Sequence, residues 1–195
     1  MEGFFDRWSN LILENASKPS VEIEIRLGKM NRGSFDTNVS KDTYDKVLRR
    51  LRRYDGWESV EESDTSNFYY DGGKRATYDN IKDDMTACVV KKRVLVDDMS
   101  LDNELFDIRL GISTEMPCEH RDDEEYTKVR NRKRVSFLRK DLRIDVTAVS
   151  GDTDDLDSEN EMEYQVELEL LRVPESRHEL YNMVYKVFDV LKIAQ

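Results

Sequence analysis

Histidine, cysteine, proline and long apolar runs are all scarce in this chain of 195 residues, and each scarcity removes a class of explanation. The two histidines, His120 and His178, are far apart, so a histidine-centred mechanism finds no support. The two cysteines, Cys88 and Cys118, are too few for a disulfide framework and lack zinc spacing, which leaves two reduced thiols in or near the core. No stretch approaches the ~20 apolar residues that span a bilayer. The start, MEGFFDRWSN, lacks the basic opening and apolar run of a signal peptide, so an intracellular protein is expected. A surplus of positive charge is also missing. The net charge of −11 argues against duplex DNA or an anionic membrane as partner.

What is present is charge of both signs, at 37% of residues, on a chain long enough for one domain over residues 1–195. The acidic residues crowd into 151–161, read as a surface loop, and the basic ones into Lys128–Lys140. Apolar spacing predicts helices over 4–15, 41–54 and 176–192, whose stripes read as packing faces. Alternation predicts strands at Val21–Gly28, Asn67–Asp71, Arg75–Ile81, Thr86–Val96, Leu105–Glu115, Tyr126–Arg139, Leu142–Val149 and Glu163–Arg172. About eight strands with few helices give a mainly β class, an antiparallel barrel or a curled sheet.

Two strands carry glutamates in phase. Val21-Glu22-Ile23-Glu24-Ile25-Arg26-Leu27 alternates without a break, which puts Glu22, Glu24 and Arg26 on one face. Glu163, Gln165, Glu167 and Glu169 share a face near the other end of the chain. One such strand reads as a solvated edge. Two of them, if the terminal strands pair, bring up to four mutually repelling carboxylates together and call for a hard cation such as Mg²⁺ or Mn²⁺. Arg130, Arg132, Arg134 and Ser136 form the opposite pattern, which suits either a basic solvent face or the binding of carboxylates and phosphates. Arg143, Asp145 and Thr147 form a third polar set, Lys91-Lys92-Arg93 sits inside one apolar strand and Arg109 inside another. If the charged faces point outward, the barrel has an apolar core. If they point inward, it encloses a polar tunnel whose apolar outside the helices must cover.

Val-Glu-Ile-Glu-Ile-Arg-Leu-Gly from Val21 and Val-Glu-Leu-Glu-Leu from Val166 resemble the glutamate strands of the triphosphate tunnel metalloenzymes. The resemblance is to their metal-dependent mRNA 5′-triphosphatases of fungi, protists and large DNA viruses. It continues in order through Arg75-Ala-Thr-Tyr-Asp, Lys92-Arg93, Asp107-Ile-Arg-Leu-Gly-Ile-Ser-Thr-Glu115, Arg130-x-Arg-x-Arg-Val-Ser and Arg143-Ile-Asp-Val-Thr147, covering 20–170. It implies an eight-stranded barrel around a hydrophilic tunnel. It also implies removal of the γ-phosphate from 5′-triphosphate RNA, the first step of mRNA capping, with free nucleoside triphosphates as further substrates.

By motif, the resemblance makes Glu22, Glu24 and Glu169 ligands of Mg²⁺ or Mn²⁺. Glu167 would support them, and Glu115 would orient the attacking water. Arg75, Lys92, Arg130, Arg132 and Arg134 would grip phosphates, with Arg26, Arg109, Ser136, Arg143, Asp145, Thr147 and Gln165 in support. A slip of one strand position would exchange Lys92 for Lys91. Gln165 stands where the family usually has Glu, and Arg132 where Lys is common. The missing long N-terminal extension resembles the compact viral or protist members. An RNA guanylyltransferase is the candidate partner, a monomer the default, and the nucleus, or a viral factory if the chain is viral, the expected location. Two rivals remain: the same chemistry on nucleotide, polyphosphate or thiamine triphosphate, and a non-catalytic barrel with an inert charged surface.

Overall fold

The computed structural model describes residues 2–102, 104–121, 123–151 and 162–195, so the acidic stretch lies outside the described residues but for Gly151. In chain order the elements are α1 (Glu2–Asn15), β1 (Val21–Asn31), β2 (Ser34–Asp36), α2 (Lys41–Arg52), β3 (Ser59–Tyr69), β4 (Lys74–Asp79), β5 (Asp84–Met99), β6 (Asp107–Pro117), β7 (Lys128–Arg139), β8 (Leu142–Ser150), β9 (Glu163–Leu170) and α3 (Arg177–Ala194). Every strand pairing is antiparallel, in the order β2-β1-β6-β5-β4-β3-β7-β8-β9. Pairing of β1 with β9 closes eight of the strands into a barrel, with β2 folded back on β1 as a hairpin. Closure abolishes the free edges that an open sheet would expose.

The apolar faces point outward, so the core lies outside the barrel, under the helices. Ile23, Ile25 and Leu27 of β1, Ile108, Leu110 and Ile112 of β6, Ile144 and Val146 of β8, and Val166 and Leu168 of β9 form one buried cluster with the helices. Trp8 and Ile12 enter it from α1, Val47 and Leu51 from α2, and Leu180, Val184, Val187 and Leu191 from α3. Each such side chain contributes about 1.5–3 kcal/mol by leaving water. The α3 start is capped by Ser176, whose hydroxyl accepts from the Glu179 amide at 3.2 Å. Trp8 anchors α1 to β5 by donating to Asp97 at 2.8 Å.

Among the described residues the helices pack chiefly on the β1, β6, β8 and β9 side. The outer face of β3 is largely exposed, and its inner face is built of hydroxyl and amide groups. That explains why β3 begins at Ser59, eight residues before the expected Asn67: a strand polar on both faces has no apolar period. The three-residue β2 was not expected either. It seats the Phe35 ring against Gly28, where a Cβ would fall 2.3 Å from a ring carbon. Phe35 therefore occupies the inner face of β1 at that end of the barrel.

Candidate active site

The lumen is a cavity of about 390 Å³ lined by charged, hydroxyl-bearing and amide side chains from all eight barrel strands. Strand register explains its organisation. Glu24 lies opposite Glu169 across β1–β9, and Arg26 lies opposite Glu167. On the other side of β1, Glu22 faces Ser113 and Glu24 faces Gly111. A Cβ at Gly111 would come within 3.2 Å of the Glu24 carboxylate, so glycine there makes room for it.

Each carboxylate is held by named cations. Lys91 binds Glu22, and its Nζ is 3.3 Å from Glu115 and 3.9 Å from Glu24. The Ser113 hydroxyl also donates to Glu22, at 2.9 Å. Arg75 grips Glu115 with contacts of 3.0 and 3.2 Å. Arg26 joins Glu24 and Glu167 at 3.0 Å each. Arg143 binds Glu169 and reaches Asp145 at 3.1 Å. Asp145, 1% exposed, also takes Arg134 at 3.1 Å and the Ser136 hydroxyl at 2.6 Å, while Arg134 donates to Thr147 at 3.3 Å. Asp145 and Thr147 thus aim the basic side chains.

Burial sets the carboxyls apart. Burial raises Glu169, and the charges of Glu22 and Asp145 add to it, so its carboxyl is pushed up to about 7 against the pull of Arg143. Glu24 is raised by burial and by its neighbours Glu167 and Glu22, despite Arg26 and Lys91. In Glu22 burial is outweighed by Lys91, and its carboxyl is lowered. Burial alone would raise Glu167, yet Arg26, Arg132 and Arg134 hold it down at about 2. Lys91 is raised by Glu24, Glu22 and Glu115 in spite of burial, so it is a fixed positive charge.

Residues 53–179 match the family described as mRNA capping enzyme, beta chain. The chain belongs to this family. Among solved structures it is similar to the Pct1 RNA triphosphatase of S. pombe, with a TM-score of 0.80 at 17% identity over 99% of this chain and 91% of that one. Pct1 in complex with the Spt5 CTD gives the same score at 16% identity, over 97% and 92%. The RNA triphosphatase domain of a mimivirus capping enzyme gives 0.71 at 15%, over 100% and 97%. At these identities the likeness is one of fold. No curated protein sequence matches significantly. As a member of this family the chain is an RNA 5′-triphosphatase.

The residues present fit a divalent cation. Glu22, Glu24 and Glu169 offer hard oxygen donors, Glu24 and Glu169 lie opposite each other, and burial raises both of their carboxyls. Among the described residues no three acidic, histidine or cysteine side chains already converge as a ligand cage. Glu22 is turned to Lys91 and Glu169 to Arg143, so coordination requires these ion pairs to open. The lumen also fits an anion. Arg75 Nε and Arg132 Nε are buried without a hydrogen-bond partner among the described residues, a costly state that a phosphate oxygen relieves.

Of the residues singled out by motif, Glu22, Glu24, Arg26, Arg75, Glu115, Arg132, Arg134, Arg143, Glu167 and Glu169 line the lumen together. Ser136, Asp145 and Thr147 lie buried behind them. Gln165 is buried beside Glu163, 3.4 Å from it, with its carbonyl oxygen unpartnered among the described residues. Arg130 lies at the lumen's end, 3.5 Å from Glu163. Arg109 sits at the Phe35 end, bound to Asp98 at 2.6 Å and stacked 4.6 Å from the Phe35 ring. Lys92 must be corrected. It is exposed, on the face of β5 away from the lumen, and Lys91, opposite Glu115, takes the inner place. Four lining residues went unrecognised, Ser63, Thr65, Asn67 and Thr77, while Lys91 entered only as the alternative to Lys92. Thr77 follows Arg75 by two positions, and Ser113 precedes Glu115 by two, so the period of a strand could have found both.

Proposed function

We propose that this chain cleaves the γ-phosphate from 5′-triphosphate RNA, giving 5′-diphosphate RNA and phosphate, with Mg²⁺ or Mn²⁺ held by Glu22, Glu24 and Glu169. The observation that carries the reading is the lumen of both signs, with carboxylates converging from β1 and β9 and cations facing them from β4, β5 and β7. When bound, the ion supplies Lewis-acid polarisation of a phosphoryl oxygen and neutralises charge. Arg75, Arg132, Arg134 and Lys91 bind the phosphate oxygens, and their fixed positions are suited to the spread charge of a phosphoryl transition state. Glu115, itself held by Arg75 and Lys91, orients a water for in-line attack. Glu167 stays ionised and fixes Arg26 and Arg134. No side-chain nucleophile is needed.

Among the described residues, those lining the lumen include no aromatic ring and no apolar group suited to a nucleobase. Recognition inside it is therefore of the triphosphate, and free nucleoside triphosphates are expected to turn over as well. The diphosphate end is the substrate of a nucleotidyl transfer, which makes a guanylyltransferase the fitting partner. Phosphate release from γ-labelled triphosphate RNA, with Mg²⁺, Mn²⁺ or EDTA, tests the reading. Release only with metal is expected. Full release in EDTA, or none under any metal, ends it.

A further inference from the structure

A second concavity, of about 500 Å³, lies outside the barrel between the end of α2, the α3 helix and the β7–β8 turn. Its floor is apolar, built from Leu51, Leu142, Ile144, Val190 and Ile193. Tyr54, 41% exposed, and half-buried Trp57 form its edge, with ring centroids 5.2 Å apart. Asp141 and Asp189 line it beside Arg50, Arg139, Lys140 and Lys186, so cations outnumber carboxylates in the lining, and its surroundings add more. The last turn of α2 carries Arg49, Arg50 and Arg52, Arg53 follows, and the β7–β8 turn adds Arg139 and Lys140, all exposed. The Arg139 guanidinium lies 5.3 Å over the Tyr54 ring. Arg52 pairs with Glu62, and Arg50 reaches the last carbonyls of α3. Arg49, Arg53, Arg139 and Lys140 have no carboxylate partner among the described residues. In a chain of net charge −11 this is a concentrated exception.

We infer that this groove holds the RNA chain of the substrate, downstream of the triphosphate in the lumen; the inference rests on the RNA triphosphatase reading. The β7–β8 turn joins the two sites. Arg143 faces the lumen beside Glu169, while its neighbours Leu142 and Ile144 face the groove. Glu22 is one residue from the start of β1, so the candidate metal ligands lie near this end of the barrel. The opposite end holds Phe35 against Gly28 and the Arg109–Asp98 pair. An RNA leaving past Glu22 and Glu169 meets Arg139 and Lys140 first, then the aromatic edge. Guanidinium groups bind phosphates bidentately, and bases stack on exposed rings whatever their sequence. An acidic peptide would satisfy the cations and leave the stacking edge unused, so RNA is the better match.

Two measurements on the full chain test this. In the first, kcat and KM are compared for a 5′-triphosphate trinucleotide and a 5′-triphosphate RNA of about 20 nucleotides, long enough to reach an outer site. The longer RNA is expected to have the lower KM. Arg139→Glu with Lys140→Glu raises that KM by roughly tenfold, the loss of two phosphate contacts at physiological salt, and leaves the trinucleotide unchanged. Tyr54→Ala is expected to act in the same direction. In the second, 5′-hydroxyl RNA of the same length is titrated while tryptophan fluorescence is read. Trp8 is fully buried, so a change reports Trp57 at the groove. Salt-sensitive binding, weakened by both variants, supports the inference even if no phosphate is released, which would count against the triphosphatase reading alone. Equal KM for both lengths with no binding of 5′-hydroxyl RNA overturns it, as does polyglutamate binding more tightly than RNA.

Discussion

Lys91 and Lys92 are adjacent, chemically identical and opposite in predicted consequence. Lys91 stands within 3.9 Å of Glu22, Glu24 and Glu115, the carboxylates proposed to hold the metal and orient water. At about 4 Å and an effective dielectric near 20, a unit charge pair interacts by roughly 4 kcal/mol. Loss of one preorganised group that stabilises transition-state charge costs about 10²–10³ in kcat. Lys91→Ala is therefore expected to lower kcat for phosphate release by ~10²–10³ at saturating metal. Lys92 is exposed and directed away from the lumen. Surface substitutions of this kind fall within about ±0.5 kcal/mol, so Lys92→Ala should remain within roughly twofold of the parent. The assay is single-turnover release from γ-labelled RNA, with circular dichroism to show that both variants fold. A larger loss in Lys92→Ala than in Lys91→Ala would refute the register of β5 on β6 and the assignment built upon it.

Glu22→Ala should abolish turnover and weaken Mn²⁺ binding measured by calorimetry, since it removes one of the three proposed ligands; undiminished binding contradicts the assigned ligands. Glu169 gives a pH dependence whose sign follows from its raised carboxyl. In EDTA its contribution to stability is fully present below about 4.5 and is lost as pH rises through about 7, worth about 3 kcal/mol. Urea midpoints in EDTA should fall between about pH 5 and pH 7.5, and Glu169→Gln should flatten that fall; an unchanged slope would exclude Glu169 as its source. Asp145→Ala leaves Arg134 and Arg143 without their shared partner and should cost about 3–5 kcal/mol, seen as a lowered Tm, whereas a neutral result would mean that water replaces the carboxylate fully.

The legible parts of this fold are those where one face of a strand is greasy and the other charged. Val21–Leu27 and Glu163–Leu170 show that contrast because helices cover their outer faces while the lumen takes their inner ones. Their pairing across β1–β9, inferred only as a possibility from placement at the two ends of the chain, is what brings Glu24 to Glu169. The β3 strand was unreadable up to Asn67 because solvent on one side and hydroxyl groups on the other leave hydropathy flat. Lys91-Lys92-Arg93 offered no phase at all, since three consecutive cations look alike on either face. Its phase comes from Glu115 opposite Lys91, and the ladder is irregular just beyond, between Arg93 and Leu95, so distance along the strand alone does not carry the register. The basic groove at the end of α2 escaped because its arginines read as the solvated side of an amphipathic helix.

The charge balance of the lumen explains why a chain this acidic can grip a polyanion. Glu22, Glu24, Glu115, Glu167 and Glu169 face Arg26, Arg75, Lys91, Arg132, Arg134 and Arg143, so the lining is close to neutral while the whole chain stands at −11. Buried charges of one sign alone would be prohibitively costly, and each sign is stabilised here by the other. The ion pairs Lys91–Glu22 and Arg143–Glu169 then act as mutual placeholders. If Glu22 and Glu169 hold the metal as proposed, a divalent cation on the carboxylates would free Lys91 and Arg143 for phosphate, and a triphosphate on the cations would free the carboxylates for metal. Each ligand would remove the competitor of the other, and linkage would then make their binding mutually favourable. Neither glutamate strand has this property alone; it arises because closure of the barrel puts both signs within reach of the same small volume.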